Sequence, residues 1–218
     1  GDVNGDGFDD VIVGAFGADP NGDYSGSSYV VFGRASGFDA AMDLFALNGS
    51  SGFRLDGTAE GDSSGSSVSN AGDVNGDGFD DLLIGAPGAD SNGNNSGSSY
   101  MVFGRASGFD ASMNLSSLDG NNGFRLDGAA AFDHTGFSVS SAGDINGDGF
   151  DDVSIGVTHH EDYSIPVTVD YVVFGKASGF SPALNLSGLD GSNGFHRADG
   201  LVSGCVPPSI ASGAAAGT

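Results

Sequence analysis

Gly72-Asp73-Val74-Asn75-Gly76-Asp77-Gly78-Phe79-Asp80-Asp81 is the stretch that decides how this chain is built. Its pattern recurs at Gly1–Asp10 and at Gly143–Asp152, and each step is 71 residues. Self-similarity at a fixed period is the mark of a repeat architecture. Other elements keep the same step. Tyr29-Val30-Val31-Phe32-Gly33-Arg34-Ala35-Ser36-Gly37-Phe38 recurs at Tyr100–Phe109 and Tyr171–Phe180. Gly52–Gly57 recurs at Gly123–Gly128, and its third copy, Gly194–Gly200, has gained one residue. The units are therefore 1–71, 72–142 and a degenerate 143–200, followed by a divergent tail, 201–218.

Outward from each acidic stretch run short apolar segments separated by Gly, Asn, Asp and Ser, the signature of strands and turns. Asp10–Ala15, Asp81–Ala86 and Asp152–Val157 come first. The Ser-Tyr-Val-Val-Phe segment follows, then Gly-Phe-Arg-Leu-Asp-Gly, then Ser66–Asn70 or Phe137–Ser141 leading into the next acidic stretch. Helical periodicity is absent over any useful length; Ala40–Leu47 is long enough for a turn or two. An all-β chain is expected, with tandem four-stranded antiparallel blades of β-propeller type, one per 71-residue repeat.

Counting Asp2 as position one, oxygen-bearing side chains fall at positions one, three, five and nine: Asp2, Asn4, Asp6 and Asp10. Gly7 allows a sharp turn, and the Phe8 carbonyl at position seven can add a backbone oxygen. The second copy supplies Asp73, Asn75, Asp77, Phe79 and Asp81; the third supplies Asp144, Asn146, Asp148, Phe150 and Asp152. Ca²⁺ takes six to eight oxygens at about 2.3–2.6 Å in a flexible cage, whereas Mg²⁺ takes fewer protein ligands and Zn²⁺ wants His or Cys. About three Ca²⁺ sites are expected. An EF-hand would need a Glu at position twelve and flanking helices. Position twelve here is Val13, Ile84 and Ile155, inside apolar strands, so the loop joins strands. A solvated Asn-Gly or Asp-Gly hairpin is the plainer reading of one copy, and three copies with every oxygen retained weigh against it. Asp9, Asp80 and Asp151, at position eight, are expected to point away from the cage.

The formal charge is −23, from 29 acids against 6 bases. Such a surface excludes nucleic acid as a partner and opposes anionic membranes. Three Ca²⁺ ions would bring it to −17, relieving self-repulsion. Cys205 is the one cysteine, so an intrachain disulfide is excluded. No apolar run reaches transmembrane length, and an export signal, if used, is expected upstream of Gly1. The six basic residues all sit at repeat-related positions and read as scaffold, offsetting carboxylates between blades. His159-His160-Glu161-Asp162 occurs once and reads as a variable loop, with a transition-metal site as the alternative. No serine lies in a nucleophile elbow, so no enzyme is expected. Asn48, Asn94, Asn114 and Asn185 head Asn-x-Ser patterns, which matter only in a glycosylating host.

Ser67–Pro87, ending in Gly85-Ala86-Pro87, resembles the FG-GAP repeat of integrin α-chain propellers and their bacterial relatives. Gly14-Ala15-Phe16 and Gly156-Val157-Thr158 depart from the name-giving triplet, and Ser64-Gly65 and Thr135-Gly136 from the Phe-Gly. The resemblance covers roughly Gly1 to Gly200. It implies Ca²⁺ in the acidic loops on one propeller face, and a role in adhesion or ligand binding with a protein or glycan partner, outside the cell or at its surface. It also implies closure with about seven blades, of which three are present. The chain is then either a piece of a larger propeller or one whose blades are completed by neighbouring chains, as in a homo-oligomer, filament or surface layer joined through repeat edges.

Overall fold

The computed structural model describes residues 1–159 and 167–198. The fold is all-β, with three sheets. The strands are β1 (Val11–Ala15), β2 (Ser27–Val31), β3 (Gly52–Asp56), β4 (Ser67–Gly72), β5 (Asp81–Ala86), β6 (Ser98–Val102), β7 (Ser112–Asn114), β8 (Gly123–Asp127), β9 (Ser138–Gly143), β10 (Asp152–His159), β11 (Val167–Val173), β12 (Ala183–Asn185) and β13 (Gly194–Ala198). The first sheet runs β1-β2-β3-β7, the second β4-β5-β6-β8-β12 reversed, and the third β9-β10-β11-β13. The long neighbours pair antiparallel, as expected of blades.

The sequence pattern did not reveal β7 and β12. Each is three residues long and pairs parallel with the outer strand of the preceding sheet: Ser112–Asn114 on Arg54–Asp56, and Ala183–Asn185 on Arg125–Asp127. The next unit thus contributes an extra outer strand, the fourth of the first sheet and the fifth of the second. The short 3-10 turn after each, Leu115–Ser117 and Leu186–Gly188, is capped by the side chain of Asn114 or Asn185, which accepts from the N–H two residues on. In the first unit the turn is Leu44–Ala46, capped by Asp43. The sheets also run out of phase with the sequence period, because the strand before each acidic loop is the first strand of the following sheet.

Two cores separate the three sheets. The first gathers Val30, Phe53 and Leu55 of the first sheet against Leu82, Ile84 and Val102 of the second. The other gathers Leu83, Met101 and Leu126 of the second against Val153, Ile155 and Val173 of the third. Successive side chains of a strand point to opposite faces. A strand sandwiched on both faces therefore reads as an unbroken apolar run, as Leu82-Leu83-Ile84 does, with every residue of β5 buried. In β10, Ser154 breaks the same run, and in β1 Val11 and Val13 are exposed. The two acidic loops that join paired strands are each flanked by a bulge, between Asn70 and Gly72, supported by the φ of +74° at Gly72, and between Asp152 and Val153.

Candidate functional site

The second and third acidic loops link the first strand of a sheet to the second, the first leads into β1, and all three close on the same hydrogen-bond frame. In the middle loop the Asp73 carboxylate accepts from the backbone N–H groups of Gly76, Asp77 and Gly78 at 2.7–3.0 Å. Asn75 Oδ1 accepts from Asp77 N–H at 2.8 Å, and Asn75 Nδ2 donates to Asp77 Oδ2 at 3.0 Å. Asp77 Oδ1 accepts from Phe79 N–H. The first loop repeats this with Asp2, Asn4 and Asp6, and the third with Asp144, Asn146 and Asp148. Short Asp and Asn side chains bond their own backbone a few residues on, which is why they favour such turns. The two glycines supply positive φ, +74° at Gly76 and +90° at Gly78.

The position-one and position-three oxygens both lie within hydrogen-bond reach of one amide, that of Asp77, so positions one, three and five share one side of the loop. That all-oxygen donor set suits a hard cation. Of the expected ligand sets, Asp2, Asn4 and Asp6, with the Phe8 carbonyl, would hold an ion in the first loop, Asp73, Asn75, Asp77 and Phe79 in the second, and Asp144, Asn146, Asp148 and Phe150 in the third; their fourth side chains, Asp10, Asp81 and Asp152, each already accept from two backbone N–H groups. Among the described residues no three Asp, Glu, His or Cys side chains converge tightly enough to hold a metal on their own. An ion held there would have to take Asn and backbone oxygens as well.

Position nine has a second occupation. The Asp81 carboxylate is fully buried and accepts from Val74 N–H at 3.0 Å and Gly104 N–H at 2.9 Å. Asp10 takes Val3 and Gly33, and Asp152 takes Ile145 and Gly175, in the same way. Each carboxylate thus ties the loop to the exit of the neighbouring strand. Burial pushes the Asp81 carboxyl up to about 8, against the pull of those two N–H donors. Asp10 and Asp152 are raised for the same reason.

Position eight proved to be a junction residue, which the alternation argument did not anticipate. Asp80 Oδ2 accepts from Asp2 N–H at 2.8 Å, and Asp80 N–H donates back to the Asp2 carbonyl at 3.1 Å. Asp151 treats Asp73 alike. The Phe ring at position seven rests on the preceding loop, where a Cβ at Gly5 or Gly76 would strike Phe79 or Phe150. Consecutive loops are thus laced together. The only sequence signal for this was the strict recurrence of two acids in tandem.

The basic residues are scaffold, but they act differently from the expected bridging between blades. Arg54 and Arg125 pair bidentately with Asp56 and Asp127 on their own strands. Arg34, Arg105 and Lys176 each donate to the carbonyl three residues on and lie over Phe38, Phe109 and Phe180. A second interior cluster joins the first two sheets. Thr58 Oγ1 donates to Asp62, whose carboxyl burial raises, and lies 3.0 Å from the Tyr100 hydroxyl. The His159-His160-Glu161-Asp162 cluster and Cys205 lie outside the described residues or side chains. No helix among the described residues is long and apolar enough to cross a membrane.

Against known sequences, the FG-GAP repeat matches residues 1–31, 64–101 and 135–164. Integrin alpha-PS5 of Drosophila melanogaster is 34% identical over 157 residues, 71% of this chain and 14% of that protein. Integrin alpha-4 of Xenopus laevis is 33% identical over 156 residues (71% and 13%). Integrin alpha-6 of Gallus gallus is 29% identical over 159 residues (71% and 12%). The aligned part of the chain thus spans about one-eighth of the length of these relatives.

Proposed function

Because this chain is an FG-GAP repeat protein similar to integrin α-chains, we propose that it is a non-catalytic module for adhesion or protein–protein interaction that binds Ca²⁺ at its three acidic loops and works outside the cell or at its surface. The observation that carries the calcium reading is the threefold recurrence of one frame. Three loops at a 71-residue step each hold Asp, Asn and Asp oxygens on one side through the same backbone donors. A scaffold that needed only turns could vary these side chains, since many residue types make turns.

Bound Ca²⁺ would neutralise carboxylates crowded within one short loop and hold the loop against its strands. The chain's own residues supply the rest of the frame: position one orders three amides, position nine anchors the loop to the adjacent strand, and position eight fastens it to its neighbour. Sites of this kind on extracellular modules suit millimolar calcium, and the integrin names of the relatives favour the same location. A protein or glycan ligand is the expected partner class.

Equilibrium dialysis with calcium counting, together with thermal unfolding in Ca²⁺ and in EDTA, tests the reading. About three ions per chain should bind. Each site saturated to a hundredfold over its Kd should stabilise the fold by about 2.7 kcal/mol. Asp77→Ala should remove one ion. A chain that binds none and melts identically in EDTA would sink the calcium assignment.

A further inference from the structure

Consecutive acidic loops are fastened together by three links, and the same three occur at both junctions within the chain. The position-eight residue pairs at two points with position one of the preceding loop. Asp151 Oδ2 accepts from the Asp73 N–H at 2.9 Å, and the Asp151 N–H donates back to the Asp73 carbonyl at 3.1 Å; Asp80 meets Asp2 in the same way at 2.8 and 3.1 Å. The position-seven ring covers position four, where a Cβ at Gly76 or Gly5 would strike Phe150 or Phe79. Two adjacent residues at a strand exit reach both loops at once. Gly175 N–H donates to Asp152 Oδ1, position nine of its own loop, at 3.0 Å, and Lys176 N–H donates to the Val74 carbonyl, position two of the preceding loop, at 2.9 Å. Gly104 and Arg105 join Asp81 to the Val3 carbonyl alike, both at 2.9 Å.

These links join the parts of each loop that must be set before its oxygens share one side. Asp73 carries the carboxylate that gathers the Gly76, Asp77 and Gly78 amides, and its own two backbone groups are held by Asp151. Phe150 carries the position-seven carbonyl of the third loop, its N–H donates to Asp148 Oδ1 at 3.0 Å, and its ring rests on the second loop. Between these anchors the second loop is exposed at Gly76, Asp77 and Gly78. Exposed backbone of this kind opens at low cost, and the carboxylates crowded within it repel one another. Ordering it costs conformational entropy. A binding event that has already ordered a neighbour lowers that cost for the next one.

We propose that the acidic loops bind Ca²⁺ with positive cooperativity: filling one loop raises the affinity of the loop beside it, through the position-seven ring, the position-eight carboxylate and the strand-exit pair. The proposal rests on the reading of these loops as Ca²⁺ sites. By linkage the effect is reciprocal between the two loops of a junction. Charge works the other way, because each ion taken up cancels part of the negative field that draws the next. That opposition is screened over about 8 Å at physiological ionic strength, whereas the links are direct contacts. Cooperative uptake therefore reports the contacts and not the field.

Ca²⁺ titration of the 218-residue chain, with bound ion counted by equilibrium dialysis at chelator-buffered concentrations, is the test. A coupling of about fivefold between adjacent loops gives a Hill slope of about 1.5 over three sites. Asp80→Ala combined with Asp151→Ala leaves every expected ligand in place, so the ion count is unchanged while the slope falls to about 1. Asp80→Asn combined with Asp151→Asn keeps an acceptor oxygen for each N–H and restores the slope, which separates the contact from the loss of charge. Asp77→Ala removes the middle ion and leaves no adjacent pair, so it abolishes the cooperativity; Asp148→Ala leaves the first two loops adjacent and keeps it. Circular dichroism confirms that the variants are folded, and the comparison of Asp77→Ala with Asp148→Ala stands should the alanine pair misfold. A chain that binds no Ca²⁺ sinks the calcium reading and this proposal with it. Three ions bound without cooperativity, a slope unchanged in the alanine pair, or Asp77→Ala and Asp148→Ala giving the same slope would each overturn the coupling and leave the calcium reading standing.

Discussion

Phe109→Ala compared with Phe38→Ala isolates what one junction contributes. The two phenylalanines occupy the same position of the repeat and lie 4.8 Å from a guanidinium, that of Arg105 or Arg34. Phe109 is part-buried, stacks on Phe53 at an interplanar angle of 3° and lies 5.8 Å from Phe32. Phe38 is 55% exposed. Deleting a fully buried Phe costs about 3–5 kcal/mol, so a part-buried ring forfeits about 2. The lost stacked pair adds about 1 kcal/mol, and both variants lose a cation–π contact of about 0.5 kcal/mol. Phe109→Ala should therefore cost about 3 kcal/mol and Phe38→Ala about 1 or less, a difference of more than tenfold in the folding equilibrium constant. Urea unfolding followed by far-ultraviolet circular dichroism, at a dilution that keeps the chain monomeric, measures both; the chain has no Trp for fluorescence. Equal losses in the two variants would refute the view that ring stacking across the junction holds the units together.

Gly76→Ala and Gly147→Ala should part company in the same way. Both glycines have φ near +75°, a strain of about 1 kcal/mol for Ala, but only at Gly76 would the new Cβ strike the Phe150 ring, adding about 1–2 kcal/mol; equal melting temperatures would contradict the loop lacing. At alkaline pH, Tyr100 should report the cluster between the first two sheets. Burial pushes its hydroxyl from 10 up to about 12, so the stability it contributes is complete below pH 10 and is lost as pH rises through 12. Tyr100→Phe should make the alkaline limb of the unfolding profile shallower and remove the latest-ionising component of the tyrosinate absorbance titration, and an unchanged titration would count against this burial.

Leu82-Leu83-Ile84, the Ser-Tyr-Val-Val-Phe segments and the Gly/Asn/Asp turns were enough to place the long strands, because alternation and turn chemistry are local properties read within a few residues. The acidic loops were legible for the same reason: Asp73, Asn75 and Asp77 bond amides no more than five positions away. Three matters were decided by tertiary structure alone. Asp80 and Asp151 serve the preceding loop across 78 residues, Phe109 and Phe180 stack on the preceding sheet, and β7 and β12 pair in parallel with a strand of another unit. A three-residue strand carries too little alternation to be seen, and its register depends on an edge that exists only once the sheets have stacked. The sequence by itself determined that this chain is a row of β-units, each with one acidic Asp/Asn loop. How each unit grips the next is settled by groups that a 71-residue period brings together only in three dimensions.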